Sequence, residues 1–159
     1  MRPAIAALVL VTCLALPCGV LAEPNSKVIR AQVLQIVDGD SVTVSINGEL
    51  VRVRLSEIDA PEGDQPFAVE SRQSLFDLCF WAPAELRSIS KDHYGRMLAR
   101  VRCNGVDVNA EQVRRGLAWV KEVRDQTVKH KTLHKLQDEA RAAKRGLWSR
   151  ESPMPPWEW

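Results

Sequence analysis

The thirteen residues from Leu50 to Glu62 run as an alternating strand into a proline turn, and they carry Arg54, Asp59 and Glu62. Carboxylates offer hard oxygen ligands to a divalent cation or act as acids and bases. A guanidinium grips an oxyanion through two parallel hydrogen bonds. A second acidic pair, Asp38 and Asp40, flanks Gly39 just upstream. Alone, each has an ordinary reading: Asp38-Gly39-Asp40 as a plain turn, Arg54 as a solvated strand arginine, Glu62 as a surface acid. An EF-hand loop is excluded, because Val42 stands where that loop needs an acid or amide.

The elements around these residues bring them together. Ser41 to Ile46 alternates with Val42, Val44 and Ile46 on one face. Asn47-Gly48 is a favoured two-residue hairpin turn, and Leu50 to Leu55 returns with Val51, Val53 and Leu55 facing a core. Counting back from that turn sets Ser41 opposite Arg54 and Asp40 opposite Leu55, so Asp40 joins the end of the Leu50–Glu62 stretch. Upstream, Val28 to Val37 reads as a strand with Ile29, Ala31, Val33 and Val37 inward.

Pro66 suits the first residue of a helix that carries Ala68, Leu75, Leu78 and Cys79 at helical spacing. Ala84 to Ser90 and Met97 to Arg102 read as two strands joined through Asp92-His93-Tyr94-Gly95. Asp107 or Asn109 can cap a short helix that Gly116 stops. Leu133, Leu136, Ala140, Ala143 and Leu147 mark a last helix ended by Gly146. The pattern predicts a mainly β fold with α-helices: a five-stranded Greek-key β-barrel of the OB type with three helices. Residues 151–159 form a Pro- and Trp-rich tail, expected to pack its indoles onto the body.

The chain of 159 residues is long enough for one domain with its own core. Met1-Arg2, the apolar run from Ile5 to Leu16 and the small exit Val20-Leu21-Ala22 read as a signal peptide over 1–22, cut after Ala22. A lipoprotein signal at Cys18 fits poorly, since Pro17 precedes it. The expected product is secreted or periplasmic, with no stable membrane association. Removing the leader takes one arginine and no acid, leaving 21 basic against 20 acidic residues. So near-neutral a chain does not coat polyanions by bulk charge, and any nucleic-acid contact must rest on local placement. Cys79 and Cys103 remain; export favours a disulfide between them over two buried thiols. His130 and His134 lie four apart, a spacing zinc can use, but among lysines a solvated basic face is the better reading.

Four motifs in order carry a resemblance: Val37-Asp38-Gly39-Asp40-Ser41; Arg54-Leu55 with Ile58-Asp59-Ala60-Pro61-Glu62; Asp92-His93-Tyr94-Gly95-Arg96; and the run from Val108 to Ala118. Together they resemble the thermonuclease family, the staphylococcal-nuclease-like enzymes, across residues 23–150. The resemblance implies a calcium-dependent phosphodiesterase, a monomer acting on DNA and RNA. Asp40 and Asp59 then give carboxylates to Ca2+, and Ala60 gives its main-chain carbonyl. Glu62 is the implied general base, and Arg54 and Arg96 the implied phosphate grip. Tyr94 and His93 are implied to lie beside a neighbouring phosphate or sugar.

The chain departs from the family pattern at several points. Ala60 replaces a commoner threonine, and His93 replaces a lysine. Glu122 and Arg124 stand where tyrosines flank the base, and the loop after Glu62 is shorter. Trp81, Trp119 and Trp148 read as packing residues rather than replacement stacking platforms. The rival class is a non-catalytic OB-fold nucleic-acid-binding module. Retention of the acids, both arginines and Glu62 argues against it, because binding alone needs no metal cage beside a base.

Overall fold

The computed structural model describes residues 27–121 and 130–159. Strands β1 (Ile29–Asp38), β2 (Ser41–Ile46) and β3 (Glu49–Leu55) form an antiparallel meander, and the two-residue β4 (Ile58–Asp59) follows. Helix α1 (Ala68–Cys79) leads to β5 (Pro83–Lys91), β6 (Met97–Cys103) and the short β7 (Val106–Asp107). Helix α2 (Val108–Arg114), β8 (Trp119–Val120) and helix α3 (Lys131–Ala142) complete the regular elements, with 3-10 turns at Gly146–Ser149 and Pro156–Glu158. The sheet order is β3-β2-β1-β5-β6-β7, and β3 also pairs in parallel with β6. That pairing closes a five-stranded barrel. Counting only its own strands, the ring runs first, second, third, fifth, fourth: the OB-type Greek key.

The β2–β3 hairpin has the register read from its turn, with Ile46 opposite Glu49 and Ser41 opposite Arg54. Leu55 N donates to Asp40 O at 2.7 Å, which seats Asp40 beside the end of β3. Strand β1 departs from simple alternation. Register shifts between Val33 and Gln35 and between Ile36 and Asp38 turn Ile36 into the core, and Val37 is only half-buried. A small barrel closes by bending its strands, and an extra residue in one strand both bends it and inverts the facing pattern beyond.

Val33, Val42, Val44, Val53, Leu55, Leu86 and Val101 fill the barrel, and Leu75 and Cys79 bring α1 onto it. The Cys79–Cys103 disulfide ties the end of α1 to the end of β6 across a sequence separation of 24. Closing a loop of that length stabilises by about 3.5 kcal/mol.

Three ends differ from expectation. Pro66 is not the first helical residue, because Gln65 N bonds to Glu62 O and Ala68 N to Gln65 O, a turn that absorbs Pro66. Phe67 then sits at the N-cap with φ 69°, and the helix starts at Ala68. Helix α3 stops at Ala142, before Gly146: Lys144 takes φ 51°, Ala143 is exposed, and Leu147 reaches the interior from the following 3-10 turn. The indoles of Trp157 and Trp159 are more than half exposed, so the tail does not bury them in the body. Proline sets the extended backbone that leads into the final 3-10 turn and holds them out.

Helix α2 is capped by Asp107, whose carboxylate accepts from Ala110 N at 3.1 Å. Asn109 serves another purpose, described below. On the outer side of α2, Glu111 meets Arg114 at 2.6 Å and Arg115 at 2.7 Å, and Arg115 reaches Ser74 on α1 at 3.1 Å. The Arg114 hydrogen bond, with Arg115 beside it, holds the Glu111 carboxyl down to about 2, from 4.5. A carboxyl whose folded value is lowered adds stability that is complete above its unfolded value and is lost as pH falls toward the folded one. Glu111→Gln should therefore lower the thermal midpoint at pH 7, with the gap to wild type closing between about pH 4.5 and pH 2; melting curves across that range check it.

Candidate active site

One guanidinium gathers the acids. Arg54, only 7% exposed at the end of β3, places Nη2 3.0 Å from Asp40 Oδ2 and in direct contact with Asp59 Oδ1. Its Nη1 meets Glu62 Oε1 more loosely, at 3.4 Å. Asp40 and Asp59 are buried, while the Glu62 side chain is 56% exposed. The cluster thus has a sealed side and an open side.

Each acid is held by a different part of the fold. Asp40 leaves the β1–β2 turn, where its own N–H bonds to Asp38 Oδ1 at 3.1 Å. Its Oδ1 accepts from Ser41 Oγ at 2.9 Å and its Oδ2 from Ala60 N at 3.0 Å. Gly39 lets this turn lie against α1, since a Cβ there would overlap the Ser71 hydroxyl and the Ala60 methyl. Asp59 is carried by β4, paired with β8 through Ile58–Val120 and Asp59–Trp119. Buried Asn109 fixes the loop before it, donating to Ser56 O at 2.6 Å and accepting from Val101 N at 3.0 Å. Glu62 follows Pro61, and its N–H bonds to Gln65 Oε1 at 3.1 Å.

The electrostatics are lopsided. Burial pushes the Asp40 carboxyl up to about 8, against the downward pull of Arg54 and the N–H of Ala60; Asp38 and Asp59 add to the rise. Burial works against the Arg54 charge as well, yet Asp40, Asp59 and Glu62 outweigh it and hold the guanidinium above its ordinary value. The two facts agree once the sharing is counted: three carboxylates divide one cation, and Asp40 is the deepest of them. The site is short of positive charge. Its donors are all oxygens, which is the chemistry a hard divalent cation requires. A second positive charge would keep Asp40 ionised, so the residues fit such an ion. Among the described residues no group of three or more His, Cys, Asp or Glu side chains is placed to hold a metal ion by itself, and an ion here would depend on main-chain oxygen, solvent or substrate for the rest of its shell.

Arg96 immediately precedes β6 and is tied to its own turn. Asp92 accepts from Arg96 Nε at 2.6 Å and from the N–H groups of Tyr94 and Arg96 at 2.9 and 2.8 Å. The β3–β6 pairing sets Met97 opposite Val53 and Leu98 opposite Arg54, which brings this turn to the Arg54 end of the barrel. Tyr94 is 74% exposed, with the Arg96 guanidinium 5.3 Å from its ring centroid and the His93 ring at 3.8 Å. The contacts of these three side chains are with one another and with Asp92, within their own turn.

A scan against protein-family models matches residues 52–150 to the staphylococcal nuclease homologue family. A protein of Escherichia coli O157:H7 described as an uncharacterized endonuclease is 40% identical over 132 residues, covering 82% of this chain and 84% of that protein. The micrococcal nuclease of Shigella flexneri is 34% identical over 139 residues, covering 82% and 79%. The staphylococcal-like nuclease CAN1 of Arabidopsis thaliana is 35% identical over 108 residues, 68% of this chain and 32% of that longer protein. The chain belongs to the staphylococcal nuclease family.

For this member of the family, several positions were not foreseen from sequence. Lys121 Nζ stands 3.5 Å from Asp59 Oδ1 and adds a cation at the rim. Buried Gln112 donates to Gly39 O at 2.7 Å and to Ser71 O at 3.0 Å, and accepts from Ser74 Oγ at 2.6 Å, so α2 locks the Asp40 turn to α1. The only signal for it was a polar residue on the inner face of a short helix. His130, expected on a solvated face, is covered and lies 3.4 Å from Glu57 Oε1; of that pair, His134 is the exposed one. Trp119 is buried and meets Trp148 edge-on at 5.9 Å, in keeping with packing roles. Glu122 and Arg124 lie outside the described residues, as does the expected leader over 1–22.

Removing one partner of a buried ion pair costs about 3–5 kcal/mol, since the other charge is left without compensation. Arg54→Met should lose at least about 3 kcal/mol in urea unfolding at pH 7. A loss typical of a surface site would show that the acids do not depend on Arg54.

Proposed function

We propose that this chain is an exported, calcium-dependent nuclease that hydrolyses phosphodiester bonds of DNA and RNA as a monomer. Membership of the staphylococcal nuclease family makes it a nuclease, an enzyme of phosphodiester hydrolysis. The observation that carries the finer reading is the Arg54 cluster: buried Asp40 and Asp59 on one side of the guanidinium, half-exposed Glu62 on the other. Asp40, Asp59 and the Ala60 carbonyl would hold the ion. When bound, Ca2+ would supply positive charge to polarise the phosphate and offset charge building on it.

The chain's own residues do the rest. The contact of Arg54 Nη1 with Glu62 is loose enough for a phosphate oxygen to replace it. Arg96 gives a second planar donor from the neighbouring turn, and two guanidiniums hold the phosphate in one orientation. Glu62 takes a proton from the attacking water as the water oxygen bonds to phosphorus; the phosphorus–oxygen bond to the leaving sugar breaks, and the sugar oxygen takes up a proton from solvent. Its exposure lets it reach that water, and Pro61 and the Gln65 hydrogen bond fix its backbone. Tyr94 and His93 flank the path of the strand beside Arg96.

A binding module with no chemistry is the competing class. A polyanion binder gains nothing by presenting Glu62 on the exposed side of a cluster already richer in acids than in cations. Export rests on the leader pattern at 1–22, and the Cys79–Cys103 disulfide is at home in an oxidising compartment. No helix among the described residues is long and apolar enough to cross a membrane.

Purified mature protein should cut plasmid, single-stranded DNA and RNA in calcium, stop in excess chelator and resume when calcium is restored. No cleavage with any divalent ion would defeat the enzyme reading. Glu62→Gln should lower kcat by about 100- to 10,000-fold, the range for a lost general base, with the thermal midpoint unchanged. Full turnover in that variant would remove Glu62 from the role.

A further inference from the structure

The C-terminal tail returns to the acid cluster. Gln65, whose Oε1 accepts from Glu62 N at 3.1 Å, donates through Nε2 to Met154 O at 2.7 Å. One buried amide therefore holds both the backbone of Glu62 and the tail. Beyond Met154 the chain passes Pro155 and Pro156 into the 3-10 turn Pro156–Glu158, and Trp159 lines a crevice with Gln65 and Pro66. Trp157 faces a separate open groove of about 530 Å³, lined by Asp59, Lys121, Trp157 and Glu158. Its indole is 54% exposed.

A single exposed indole is ordinary on a protein surface; what marks Trp157 is that its groove is bounded by Asp59 of the Arg54 cluster. That shared residue makes the groove and the cluster contiguous. Lys121 offers the cation for a backbone charge at the Asp59 side. Glu158 also lines the groove and repels a phosphate, which favours the uncharged face of a base against Trp157. We propose that Trp157 is a base-stacking platform for the nucleotide adjoining the cleaved bond, supplied by the tail and held in place by Gln65. The inference rests on the nuclease reading of the same site. Stacking of this kind accepts any base, since every base presents a π-face, and its loss costs roughly 5- to 150-fold in affinity.

The test compares wild type, Trp157→Ala and Trp157→Phe on single-stranded oligonucleotides, with and without a tetrahydrofuran abasic analogue beside the cleaved bond. Cleavage kinetics and binding by fluorescence anisotropy are measured on the same samples. Trp157→Ala should raise KM and Kd roughly 5- to 150-fold on the intact strand with kcat unchanged. Phe should recover most of the loss, and the abasic strand should show little difference among the three proteins. Equal KM and Kd for wild type and Trp157→Ala would overturn the platform while wild-type cleavage leaves the nuclease reading standing. An equal loss on both strands would overturn it as well, marking Trp157 as a structural prop. Should wild type cut nothing, the nuclease reading falls, and the Kd comparison alone decides the platform by the same criteria.

Discussion

A single buried guanidinium is the constraint around which this fold is arranged. Arg54 is nearly inaccessible, and so are Asp40 and Asp59, so none of the three can be charged in isolation. Ion pairs this deep are held only when the backbone over-determines them. Here the β2–β3 register, the β4–β8 pair and the Gly39 turn each deliver one partner to the same point. A slip of one residue in the β2–β3 hairpin would turn Arg54 to the opposite face and leave both acids without their cation.

Polar side chains in the interior carry the consequences of that arrangement outward. Gln112 joins α2 to the Asp40 turn and to α1, and Asn109 joins the same helix to the loop before Asp59. Gln65 does the corresponding work for Glu62 and extends it to the tail. Each is a buried amide whose oxygen and nitrogen both have hydrogen-bond partners, and such groups are costly to leave unmatched. The helices are therefore more than covers for an apolar barrel. They set the positions of the turns that hold the acids, which is how a small barrel can present a rigid site on loops.

Much of the barrel was legible in one sequence because its strongest signals are local. The Asn47-Gly48 turn fixes the register of its hairpin, and the register alone places Ser41 against Arg54 and Asp40 beside Leu55. Alternation of small β-branched residues marks β2 and β3 for the same reason. Strand β1 was less legible: its bulges move Ile36 inward, and a bulge answers to closure of the whole barrel rather than to neighbours in sequence. The start of α1 and the end of α3 were misplaced because turns at Phe67 and Lys144 adopt backbone angles that carry little side-chain signature.

By itself the sequence determined the hairpin, the acid and arginine residues at its end, the cysteine pair and the family to which the four motifs point. These depend on residue type and short spacing, which a linear chain displays directly. Tertiary structure alone decided that Arg54 is sealed between Asp40 and Asp59 while Glu62 stays open, that Lys121 reaches the rim, and that the tail brings Trp157 to the same groove. Burial and long-range contact are properties of the closed barrel: the burial that pushes Asp40 up and the amide that links Glu62 to Met154 both depend on residues far apart in the chain.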